Sequence, residues 1–187
     1  MARLFFVTLL LLTGAFLPSG GEFTSPIGVL STLSRDRSAR LVATRSSEGP
    51  GEASDIFDHS KGKESGTAEG IGSWWKVDLG ENHRLRITHY ALRHGKRDGE
   101  SILRKWELQG SIDGLNWRDL KSAQDPKDPP QFSDPHPYYT GRWFIVGEVR
   151  AFRYFRILQT GTNSAGKYGI YYLDSSYTEY WSRYNLF

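Results

Sequence analysis

Trp74-Trp75-Lys76-Val77-Asp78-Leu79-Gly80 is the stretch on which the fold turns. Trp75, Val77 and Leu79 alternate with Trp74, Lys76 and Asp78, which is the period-two pattern of a strand with one buried face, and Gly80 ends it. The same alternation continues outward: Leu85, Ile87, His89 and Ala91 mark a strand within Arg84–Arg93, and Trp106 and Leu108 share one face of Lys105–Ser111. Asp113-Gly114 then supplies a hairpin-type turn before Trp117 and Leu120. A fourth strand is expected over Phe152–Gln159, and a fifth within Tyr168–Leu173.

The segments between are punctuated by turn-forming residues. Glu22–Lys63 is rich in Ser, Gly, Arg and Asp and reads as long loops with one or two strands. Gly62–Gly72 holds four glycines and is expected to be a mobile surface loop. Asp125–Pro137, with five prolines and three aspartates, reads as loop. No stretch sustains helical periodicity, so short strands at this spacing predict an all-β sandwich or barrel.

Composition narrows the function classes. The 187 residues suit one domain, with six Trp, ten Tyr and ten Phe to fill a core and no cysteine to cross-link it. A net charge of +3 arises from 24 basic against 21 acidic residues, too mild a balance for a nucleic-acid-binding field. The five histidines (His59, His83, His89, His94, His136) show no H-x-x-x-H spacing, and no G-x-S-x-G elbow or phosphate-binding glycine loop occurs. The expectation is a non-enzyme with no metal and no cofactor.

At the N-terminus, Arg3 precedes an apolar run from Leu4, and Pro18-Ser19-Gly20-Gly21 follows it. Residues 1–21 read as a signal peptide, the apolar stretch being shorter than the ~20 residues of a membrane span. The expected layout is then 22–40 as N-terminal loop or linker, 41–181 as the β-sandwich and 182–187 as a tail. Cleavage of Met1–Gly21 implies secretion; its retention implies a cytoplasmic protein.

The W-W-x-V-D-L-G strand, the strand ending Tyr90-Ala91-Leu92-Arg93-His94-Gly95, the Trp106–Trp117 hairpin and Phe152–Gly166, with its R-I-x-x-T-G-x-N-x-x-G pattern, occur in this order. Together they resemble the galactose-binding-like superfamily, which includes discoidin and coagulation-factor 5/8 C-type domains. The nearest likeness is to the branch found with BTB domains and HECT-type ubiquitin ligases, and it covers roughly Leu41–Trp181. The resemblance implies an antiparallel jelly-roll β-sandwich. Trp75, Trp106, Trp117 and Phe155 are its expected core, each able to bury ~150–250 Å². The family's closing strand resembles L-S-G-F-E-L-Y-G, whereas Leu173–Trp181 keeps Leu173, Ser176 and Glu179 and lacks both glycines.

Ligands of such domains generally meet loops at one end of the jelly roll. Arg93-His94-Gly95-Lys96-Arg97, with Arg104 beyond it, gathers cations between two strands, and arginine forks readily onto carboxylates. The candidate ligand-binding residues are Arg93, His94, Lys96, Arg97 and Arg104, joined by Asn163 and Lys167 from the final turn, with Asp55–Lys61 a weaker addition. The expected partner is a protein or peptide, with a glycan or anionic cell-surface ligand as the alternative; no nucleic acid and no membrane span are expected. Asp78 and Asp113 are expected to satisfy turns and backbone amides.

Overall fold

The computed structural model describes residues 30, 33, 40–57, 64–93, 102–120, 140–147, 150–170, 173–174 and 180–181. Their strands are β1 (Val42–Arg45), β2 (Glu64–Ser65), β3 (Trp74–Asp78), β4 (His89–Arg93), β5 (Trp106–Ser111), β6 (Arg118–Asp119), β7 (Thr140–Phe144), β8 (Tyr154–Gln159), β9 (Leu173–Asp174) and β10 (Tyr180–Trp181), with a short 3-10 helix at Ala53–Phe57. β1-β3-β8-β5-β6 form one sheet, β10-β4-β7 a second, and β2-β9 a two-stranded pair, all antiparallel. The fold is the expected all-β sandwich.

The alternation seen in the sequence sets the faces. Trp75 and Val77 of β3, Phe155 and Ile157 of β8, and Trp106 and Leu108 of β5 are buried and point to one side of the large sheet. Tyr90, Leu92 and Trp143 of the small sheet pack into the same core. Trp106 joins the layers, donating its indole N–H to the Tyr90 hydroxyl at 3.1 Å and meeting Trp143 edge-on at a centroid distance of 4.9 Å.

Several expectations need correction. Trp117 is half-buried and outside the core, because β6 is an edge strand and the indole lies on the outer sheet face, where the Arg156 guanidinium covers it at 4.1 Å. In β4, Tyr90, Ala91 and Leu92 are all buried while His89 is half-exposed, and β9, from the two-stranded pair, lies against it. Such a strand loses its polar face.

Residues 65–67 of the segment read as a mobile loop are pinned. Ser65, Gly66 and Thr67 are buried, and Thr67 exchanges two hydrogen bonds of 2.9 Å with Ile170. Among the described residues of Tyr168–Leu173 only Leu173 is in a strand, and Ile170 instead hydrogen-bonds Thr67. Leu30 and Leu33, in the region read as loop, are helical and belong to the core. The leader reading (1–21), the proline-rich loop and the tail (182–187) lie outside the described residues.

Candidate ligand-binding loops

Strand directions bring the sequence-selected segments to one end of the sandwich. β1 and β8 finish there and β3 and β5 begin there, by the registers Arg45↔Trp75 and Trp106↔Gln159. β4 finishes where β7 begins by Arg93↔Thr140, and the two sheets are aligned by the Leu85↔Phe152 bridge at the other end and the Trp106–Tyr90 hydrogen bond. The chain connecting these strands therefore gathers 46–52, 66–73, 102–105 and 160–170 into one surface.

Arg45 builds the first part of it. Its side chain is only 4% exposed, and the guanidinium donates to the carbonyls of Gly49 (3.1 Å), Pro50 (2.9 Å) and Gly66 (2.9 Å) while pairing with Glu48 at 2.6 Å. One cation thus fastens two loops together. Gly49 must remain glycine, since a Cβ there would lie 2.5 Å from the Gly66 carbonyl oxygen. The 3-10 helix is held beneath by the Trp75 indole N–H donating to Ala53 O at 3.3 Å, and the Asp55 carboxylate accepts the Glu52 amide at 2.9 Å. Asp55 thereby shapes its own turn.

The second part is the turn after β8. Ser164 and Ile102 exchange hydrogen bonds of 2.8 and 2.9 Å, and the Thr160 amide donates to Lys105 O at 3.0 Å. These tie the residues leaving the basic run to the final turn. Asn163 is 4% exposed; its carboxamide oxygen accepts the amides of Ala165 (2.9 Å) and Lys167 (3.0 Å), so it forms the turn rather than presenting itself to a ligand. Lys167 is exposed and pairs with Glu69 at 3.1 Å. Arg104 is half-buried and engaged with neighbouring groups. Arg93 closes β4 opposite Thr140, while His94, Lys96 and Arg97 lie outside the described residues. Of the candidate residues, the structure brings Arg93, Arg104, Asn163 and Lys167 to one end.

Sequence reading missed Arg45 and Gln159. Both occupy inward positions of alternating strands, two residues beyond Ala43 and Ile157, where a long polar side chain signals buried partners. Gln159 supplies one by accepting the Gly169 amide at 2.7 Å.

The shifted ionisable groups lie away from these loops, each with a structural cause. Burial alone raises the Asp78 carboxyl, but the Arg153 hydrogen bond, the Gly80 amide and the charges of Arg153 and Lys76 outweigh it and lower it overall. Asp113 is held far below the usual carboxylate range by the Asn116 side chain and the amides of Asn116 and Leu115. Burial and then Asp119 push Glu107 up, against Arg156. Burial lowers Arg156, whose Nε donates to Gln109 at 2.6 Å. Among the described residues no cluster of three His, Cys, Asp or Glu is placed to hold a metal ion, and no helix is long and apolar enough to cross a membrane.

Comparison with known proteins agrees with this architecture. The chain is 34% identical over 151 residues to the E3 ubiquitin-protein ligase Ufd4 of Drosophila melanogaster, covering 76% of this chain and 5% of that protein. It is 35% identical over 114 residues to a BTB/POZ domain-containing protein of Arabidopsis thaliana, covering 56% of this chain and 13% of that one. The chain thus spans a small fraction of these relatives' length. Among solved structures, the family 32 CBM from C. perfringens NanJ in complex with galactose superposes with a TM-score of 0.55 at 12% identity, covering 78% of this chain and 98% of that one. The family model of the F5/8 type C domain matches residues 42–173, and with this span and this sandwich the chain belongs to the F5/8 type C domain family.

Proposed function

We propose that this chain is a non-catalytic binding module that recognises a protein or peptide partner through the loops at the Arg93, Arg104 and Lys167 end of the sandwich. The observation that carries the reading is the convergence of four loop segments on one end of a rigid two-sheet body. Cations supply one kind of contact there, Arg104 and Lys167 in the described loops and Arg93 at the end of β4, and the proposal adds Lys96 and Arg97 of the sequence that follows Arg93. The likeness to portions of a ubiquitin ligase and a BTB/POZ protein favours a protein partner. A glycan ligand is the second reading, favoured by the fold likeness to a module solved with galactose.

The test is a pair of calorimetric titrations, one with acidic peptides selected from a random display library and one with galactose. The peptide reading predicts that Arg93→Ala or Arg97→Ala weakens peptide binding by ~1.5–3 kcal/mol, the worth of a charge-assisted hydrogen bond. Affinity falls as salt rises, because exposed charges are screened beyond ~8 Å at physiological ionic strength. Saturable galactose binding with no selected peptide would transfer the site to the glycan reading.

A further inference from the structure

Ile71 is the most exposed large apolar side chain among the described residues, at 85%. It stands at the tip of Gly70-Ile71-Gly72, and the turn beneath it is fixed: Ser73 Oγ donates to Gly70 O at 2.8 Å, Gly72 has φ +71°, and the Gln159 amide donates to Ser73 O at 2.8 Å. A β-branched residue has no advantage at such a tip, where Gly, Asn, Asp or Ser suits the backbone better. At this exposure it contributes little to the core. Neither packing nor turn chemistry accounts for it.

Its surroundings are specific. Ala68, Glu69, Gly70 and Ile71 are all exposed, and so are Ser164, Ala165, Gly166 and Lys167 on the neighbouring turn. The two exposed runs are joined by the Lys167–Glu69 pair at 3.1 Å and, beneath it, by the Thr67–Ile170 hydrogen bonds. The result is a shelf on which the small residues Ala68, Gly70, Ser164, Ala165 and Gly166 let a partner main chain approach beside the Lys167–Glu69 pair, with one isoleucine rising from it. This shelf adjoins Ile102–Lys105, where the basic segment returns to the sheet.

We propose that Ile71 is the apolar specificity contact of this end, covered by an aliphatic or aromatic side chain of an extended peptide lying across the 68–71 and 164–167 shelf. The inference rests on the peptide reading above and adds the apolar half of the ligand to its cationic half. Leu115, 82% exposed on the Asp113-held turn at the opposite end, is the internal control: equally apolar, equally exposed, and far from the loops.

The test selects peptides from a random display library on the wild-type domain and measures their affinity for Ile71→Ser, Leu115→Ser and Arg93→Ala at low and high salt. The expected result is enrichment of peptides with an aliphatic or aromatic residue near an acidic one. Ile71→Ser should weaken them on the order of tenfold or more, the worth of burying such a side chain. That loss should persist at high salt, because an apolar contact is not screened, while the Arg93→Ala loss shrinks. Leu115→Ser should leave affinity within about twofold. Ile71→Asp serves as a second variant, and unchanged melting in both confirms that the fold survives. Peptides that lose affinity with Arg93→Ala but not with either Ile71 variant would overturn the inference and leave the peptide reading standing. Failure to enrich any peptide, or binding only to lipid vesicles that the Ile71 variants abolish, would overturn both.

Discussion

Trp106 is fully buried, hydrogen-bonded to Tyr90 and packed edge-on against Trp143, whereas Trp117 is half-buried beneath Arg156. Trp106→Ala therefore removes a core indole and leaves a cavity, with an expected cost of ~3–5 kcal/mol by chemical denaturation. Trp117→Ala should cost only about 1–2 kcal/mol, the sum of partial burial and one cation–π contact. Equal losses would contradict these placements. Charge behaves as specifically. Asp78 and Asp113 are ionised more readily in the folded chain than in the unfolded one, so each adds stability above the unfolded aspartate pKa of about 3.9 that is lost as pH falls through the lower folded value. Asp78→Asn and Asp113→Asn should lower stability at neutral pH and flatten the acid limb of the stability profile. Glu107 has the opposite sign: its raised carboxyl makes the ionised form costly in the fold, so Glu107→Gln should stabilise at neutral pH, with the advantage fading as acid protonates Glu107 itself. An Asp78→Asn profile parallel to wild type would refute the Arg153 pairing as the source of its shift.

β5 and β8 run side by side through the centre of the large sheet, and two glycines near them differ in what they tolerate. At Gly110 a Cβ would lie 2.5 Å from the Phe152 ring, itself buried and edge-on to Phe155. At Gly161 the nearest atom, also 2.5 Å away, belongs to the flexible side chain of exposed Lys105. Gly110→Ala should thus cost about 1–3 kcal/mol by overpacking, and Gly161→Ala much less; the reverse order in thermal melts would contradict the register. The strands that were legible in the sequence include β3 and β8, each with one face packed and one face outward, which period two records directly, while β5 alternates only over Trp106–Leu108 because Gln109, Gly110 and Ser111 are all buried. β4 was misread because Ala91, which faces away from Tyr90 and Leu92, is as buried as they are, erasing the polar half of the pattern. Residues 65–67 were misread because their partners are distant in the sequence, Leu173 across from Ser65, Arg45 on the Gly66 carbonyl and Ile170 on Thr67, which no local signal encodes. Trp117 was misplaced because residue type alone does not tell an inner face from an outer one on an edge strand.

At the scale of the whole molecule, the motif order Trp74–Gly80, Tyr90–Gly95, Trp106–Trp117 and Phe152–Gly166 carried the sandwich, and the ends of those strands carried the candidate end of it. Less of the site itself was legible. Cations are visible in a sequence, so Arg93, Arg104 and Lys167 could be selected. The residues that hold the loops, Arg45 and Asn163, work through backbone carbonyls and amides brought close only by folding, and Asn163 consequently appeared as a ligand contact rather than a turn former. Ile71 offered no pattern at all, since one apolar residue between glycines acquires meaning only from its exposure. The proposed function places the partner on the converging loops, and not on the opposite end or the sheet faces. The most direct measurement is the amide NMR spectrum of the labelled domain titrated with a peptide from the library selection, or with galactose if none is enriched. Shift changes should concentrate in residues 46–52, 66–73, 102–105 and 160–167; changes confined to residues 79–84 and 111–117 at the far end would overturn this placement.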